Sequence, residues 1–196
     1  THAAVARALE ELHAGKLDEQ AALLAQHWDE AGEPVVAARW YERAALRIGQ
    51  SDVGAAARHW QRIRELTRER PEDAEAAGLA TRACTWVLSV GWRLGIAPDE
   101  VEATATEARS WLERRSDPEA SIRLEGGLNS FHLINQGDAE LALKCAAAGE
   151  RVAEASGDPR LRAMSRYSSL YPWYNIGPVD RARERAGLLR ANVPHK

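Results

Sequence analysis

The sequence predicts an all-α fold, a right-handed α-solenoid built from antiparallel helical hairpins. Three observations predict it. Apolar residues recur at three- and four-residue spacing along nearly the whole chain, which a helix gathers into one buried face. Glycine and Asp-Pro pairs punctuate those stripes at short intervals. The pattern then returns after about forty residues, the signature of a helical unit that buries its face only by stacking on a copy of itself.

Taken in order, Leu17, Ala21, Leu24, Ala25 and Trp28 form one stripe within 17–31. Val53, Ala56, Ala57, Trp60 and Ile63 form another within 52–69. A longer helix carries Leu79, Ala83, Trp86, Val87, Val90 and Leu94, and the next carries Val101, Ala105, Ala108 and Leu112. Alanine, leucine, arginine and glutamate dominate, and β-branched alternation is almost absent. Asp117-Pro118 and Asp158-Pro159 read as an N-cap followed by Pro at the first helical position, where its missing amide costs nothing. Gly32, Gly95, Gly137 and Gly157 fall just past helical stripes, as C-terminal caps do. The chain divides into about nine or ten helices with short connections, which force neighbours to run antiparallel.

The repeat is carried by several matches. Asn135-Gln136-Gly137 with Ala139, Ala142 and Ala146 returns as Asn175-Ile176-Gly177 with Val179, Ala182 and Ala186. Asp117-Pro118 returns as Asp158-Pro159, and Val101, Ala105, Ala108 and Leu112 map onto Leu141, Cys145, Ala148 and Val152. Nearer the start, Ala37-Ala38-Arg39 with Arg43 echoes Ala56-Ala57-Arg58 with Arg62. One helical-repeat domain over 1–196 is expected, with N-terminal hairpins in 1–70 and the repeats of about 40 residues in 71–196.

Composition excludes several classes. A chain of 196 residues, 45% hydrophobic and 28% charged, is neither disordered nor a membrane protein, and no apolar run approaches the roughly 18 residues of a membrane helix. A net charge of −3 from 26 basic and 29 acidic residues argues against nucleic acid as a partner. Two cysteines, Cys84 and Cys145, offer no disulfide framework, so a reducing cytoplasm is expected. The chain opens on Thr1 directly into helical sequence and is expected to be a segment of a longer protein.

Gly137-Asp138-Ala139-Glu140-Leu141-Ala142, followed by Ala146, resembles the second helix of a tetratricopeptide repeat, although the spacing exceeds the usual ~34 residues. A second resemblance covers His2, Val5-Ala6, Ala8-Leu9-Glu10 and Leu12, then Leu24-Ala25, His27-Trp28 and Ala31-Gly32-Glu33. It closes on Pro34, Ala37-Ala38-Arg39-Trp40-Tyr41 and Arg43-Ala44-Ala45, with Gly91-Trp92-Arg93-Leu94-Gly95-Ile96 as a later phrase. This pattern is similar to the segment after the nucleotide-binding region in bacterial class III adenylate/guanylate cyclases that carry an AAA-type, STAND-like ATPase and a tetratricopeptide tail. LuxR-type ATPase regulators share much of it. The resemblance implies a parent with ATPase and cyclase domains elsewhere. This chain has no GxxxxGK[ST] loop, so no enzymatic residue is carried onto it.

Catalytic, cofactor and metal sites are all expected to be absent. None of the histidines (2, 13, 27, 59, 132 and 195) stands at a close ligand spacing, and His27 and His59 each precede a core-type tryptophan. Cys84 and Cys145 sit in alanine-rich stripes and read as small buried residues. Trp28, Trp40, Trp60, Trp86 and Trp111 are expected to fill gaps between alanine-lined helices. Arg58, Arg62, Arg64, Arg68 and Arg70, interleaved with Glu65 and Glu69, read as an ion-paired helix face. Arg181, Arg183, Arg185 and Arg190 offer a weaker surface for an acidic partner. The site candidate is aromatic: Tyr167, Tyr171, Trp173 and Tyr174 as a groove for a protein partner, with Pro172 kinking or ending their helix. The expected function is a non-catalytic protein-interaction and signal-transduction module acting on other domains of its parent or on an outside protein. The alternatives are the sensor of a LuxR-type transcription regulator and a stand-alone helical enzyme.

Overall fold

A computed structural model describes residues 1–49, 51–175 and 187. The described residues are all-helical. Nine α-helices follow one another: α1 His2–Leu12, α2 Ala21–Glu30, α3 Pro34–Ile48, α4 Val53–Thr67, α5 Ala74–Leu94, α6 Pro98–Arg114, α7 Pro118–Phe131, α8 Ala139–Ser156 and α9 Pro159–Asn175. A short 3-10 turn at Leu17–Glu19 precedes α2, and a π-turn at His132–Gln136 ends α7. None is long and apolar enough to cross a membrane, among the described residues.

The punctuation positions these helices. Asp52, Asp117 and Asp138 each accept a backbone N–H of the first turn, from Ala55, Ala120 and Leu141 at 2.8, 3.0 and 2.9 Å. Asp158 accepts from the amide of Arg160 at 2.8 Å, with Pro159 opening α9. Each bond satisfies an N–H that no helical carbonyl can reach. At the other ends Gly32, Gly95, Gly137 and Gly157 hold φ between 64° and 77°, the left-handed conformation a side chain resists. Gly49, at φ 50°, ends α3 in a similar way.

The structure divides into two compact units, and the division falls within α5, after Val87. In the first unit α1 packs on α2, α2 on α3 and α3 on α4. Asp18, just before α2, binds Arg43 near the end of α3, whereas Asp29 near the end of α2 meets Tyr41 in mid-helix. The two helices are therefore antiparallel. Arg39 pairs with Glu75 at 2.9 Å and Arg82 grips Glu42 through two nitrogens at 2.6 and 3.1 Å, so α3 also lies beside α5. The alanine pairs Ala37-Ala38 and Ala56-Ala57 are all buried, as are the large side chains of Trp28, Trp40 and Trp60. Trp86 is only half-buried, stacked on Trp60 with ring centroids 5.7 Å apart and planes 5° from parallel.

In the second unit α6 packs on α7, and α8 packs on both α7 and α9. Ser169 donates to Glu150 at 2.8 Å and Arg166 pairs with Glu154 at 3.0 Å, which makes α8 and α9 antiparallel. Helix α9 also lies directly on α7, where Gly126 faces Ser168. On its other side Gly127 sits against the backbone of Leu88.

Three sequence expectations are corrected. The stripe of 17–31 does not begin as helix at Leu17, because 17–19 is a 3-10 turn and α2 starts at Ala21. The stripe of α6 does not map onto Leu141, Cys145, Ala148 and Val152. Leu141 is exposed and the other three are half-buried, while Ala142, Ala146, Gly149 and Ala153 face inward. The helix starts explain this: Pro98 and Ala139 are 41 residues apart, as are Pro118 and Pro159, so aligning α6 with α8 moves each position one residue further on. Third, α9 does not end at Pro172 but runs on to Asn175.

Candidate functional site

Helix α9 opens at Pro159 and turns Ser165 and Ser169 inward, where both are buried. Tyr167 lies between them in sequence and so on the opposite side of the helix, 77% exposed. Salt bridge Arg166–Glu154 and hydrogen bond Ser169–Glu150 fasten the inner flank to α8, with Tyr167 on the exposed side. A large aromatic with a polar tip held outward on an anchored helix is what an interface hot spot needs. The side chains of Tyr171, Trp173 and Tyr174 lie outside the described residues, as do Asn175-Ile176-Gly177 beyond Asn175 and the arginines at 181, 183, 185 and 190.

Both cysteines are withdrawn from full solvent exposure. Cys84 is fully buried in α5. Cys145 is half-buried against Glu125, and desolvation together with that carboxylate pushes its thiol up to about 12. A thiol held there carries almost no thiolate at neutral pH. Glu125 is itself raised, mainly by burial, while Arg109 pulls the other way. Sequence reasoning missed this pair because the two residues lie on different helices.

The histidines divide by neighbourhood. His59 is half-buried against Tyr41, ring centroids 5.4 Å apart. Its pKa is lowered from 6.5, first by burial and then by Arg58. Folding therefore favours neutral His59. Its contribution to stability is complete above about 6.5, the unfolded value, and is lost as pH falls below it toward the folded value. Urea midpoints measured from pH 7.5 to 5.5 are expected to fall more steeply for the unsubstituted chain than for His59→Gln. Equal slopes would remove His59 from the account.

The arginine run of α4 is not merely a solvated face. Arg62 grips Asp29 of α2 through two nitrogens, at 2.7 and 2.8 Å, and reaches Glu65 at 2.6 Å. Tyr41 of α3 donates to the same Asp29 at 3.2 Å. Its phenol is pushed up to about 12, first by burial and then by Asp29, so it stays a donor. One carboxylate thus ties three helices together. The arrangement is a clasp in which Asp29, Arg62, Tyr41 and Glu65 each hold a partner. Among the described residues no three His, Cys, Asp or Glu side chains are grouped to hold a metal ion.

No family model, no curated protein and no solved structure matches this chain.

Proposed function

We propose that the chain is a non-catalytic protein-interaction and signal-transduction module, a tetratricopeptide-like solenoid segment of a larger cytoplasmic signalling protein. The observation that carries this reading is the packing of alternate helices at a fixed interval. In the first unit α3 lies beside α5, and in the second α7 lies beside α9, with helix starts at Pro34 and Ala74 in one pair and at Pro118 and Pro159 in the other. Helical hairpins that stack in this way build an extended surface from side chains the scaffold does not need, and Tyr167 is such a side chain. The partner is protein: another domain of the parent chain or an external protein. The resemblance of residues 2–45 to cyclases with an AAA-type ATPase favours the first.

Such a segment acts by biasing an equilibrium, and couplings of this kind are worth about 1–3 kcal/mol. In a parent carrying both domains, deleting residues 1–196 is expected to change the cyclase or ATPase rate by about fivefold or more. Tyr167→Ala is expected to move the same rate in part while leaving the melting temperature of the chain unchanged, since the ring is exposed. Rates indifferent to both changes would sink the regulatory reading.

A further inference from the structure

His2 begins α1, and His27 lies in the last turn of α2. Their Nδ1 atoms are 3.1 Å apart and their ring centroids 5.4 Å apart. The rings meet nitrogen to nitrogen, so one Nδ1 is protonated and donates to the lone pair of the other. Two imidazoles brought together in this way are also two ligands. Bonds of about 2.0–2.1 Å meeting at tetrahedral or octahedral angles span roughly 2.9–3.4 Å between nitrogens, and 3.1 Å falls inside that range. His2 is exposed and His27 half-buried, so the pair stands open to solvent on the His2 side.

We propose that His2 and His27 form a two-imidazole site for a divalent transition-metal ion, of the class that accepts nitrogen ligands, which ties α1 to α2. The ion takes the Nδ1 lone pair of each ring. The ring that donated the bridging proton from Nδ1 carries it on Nε2 instead, by exchange through solvent, which frees its Nδ1 lone pair. Water completes the coordination, because no third His, Cys, Asp or Glu joins the pair among the described residues. The site matters for α1 in particular. That helix buries only Ala6, and its other fastenings are Trp28 donating to Glu10 at 2.9 Å and the Arg7 guanidinium 5.7 Å from the Trp28 ring centroid. A ligand that bridges the two helices stabilises the docked state by mass action.

The test is calorimetric titration of the full chain with Zn(II) alone, and with Ni(II) alone, at neutral pH. Saturable uptake of one ion per chain is expected, lost in His2→Asn and in His27→Asn and kept in His13→Asn. Amide exchange across residues 2–12 is expected to slow when the ion is added. Uptake that survives substitution at His2 or His27, or no saturable uptake by the unsubstituted chain, overturns the proposal. Unchanged exchange in α1 overturns the tie between helices. Should His27→Asn fail to fold, His2→Asn decides alone, since that side chain is exposed.

Discussion

Gly127→Ala is expected to destabilise the second unit by about 2 kcal/mol, although alanine is the better helix former. The sign is decided by two opposed magnitudes. In mid-helix, replacing Gly by Ala gains about 0.8–1 kcal/mol. Against this, a Cβ at Gly127 would stand 2.7 Å from the carbonyl carbon of Leu88, 2.8 Å from its oxygen and 2.9 Å from the amide nitrogen of Ser89. Those atoms are backbone inside α5, so no side chain can swing away. The helices must separate, and overpacking of that kind costs about 3 kcal/mol. Gly149→Ala is the control within the same unit. Its added methyl would meet Glu125 and Ser165 at 3.5 and 3.6 Å, ordinary contact distances, so the propensity gain should prevail. Urea denaturation of both variants checks the pair. A Gly127→Ala chain as stable as the unsubstituted one would mean that α5 and α7 do not approach as described.

This contact also shows where sequence reading stops. Gly126-Gly127 inside a helical stripe was a visible signal, because paired glycines weaken a helix and persist where a neighbour comes close. Which neighbour came close was not visible. Features set within one turn of helix were legible: the aspartate caps at Asp117 and Asp158, and the glycines at 32, 95, 137 and 157, whose positive φ follows from the need to reverse the chain. The tryptophans at 28, 40, 60 and 111 were placed in the core by their stripe alone. The rest depended on how one helix is rotated against another. Asp29 finds Arg62, His2 finds His27 and Glu125 finds Cys145 across turns that hydrophobic periodicity does not order. The mapping of α6 onto α8 slipped by one residue for a related reason. Alanine fills both faces of α8, so composition did not distinguish Leu141, Cys145 and Ala148 from Ala142, Ala146 and Gly149. Of the aromatic site, the sequence placed Tyr167 among four candidates, and its exposure follows from the serines on either side turning inward.

Trp60→Ala is expected to cost the first unit about 3–5 kcal/mol. The side chain is 2% exposed and shares the buried face of α4 with Ala56 and Ala57, so its removal leaves a gap the size of an indole. It also carries the parallel stack on Trp86, an aromatic pair worth about 0.5–1.5 kcal/mol beyond the area it buries. With domains stable by only about 5–15 kcal/mol, a loss of this size leaves the unit near its unfolding threshold at 37 °C. Trp60→Phe separates the two contributions: it keeps an aromatic face for Trp86 while removing part of the volume, and should lose less. Denaturant midpoints followed by far-UV circular dichroism give the comparison without relying on tryptophan emission, which both substitutions alter. Losses below about 1 kcal/mol for Trp60→Ala would show that α4 repacks around the vacancy, and that the alanine-lined helices are held apart by something other than their tryptophans.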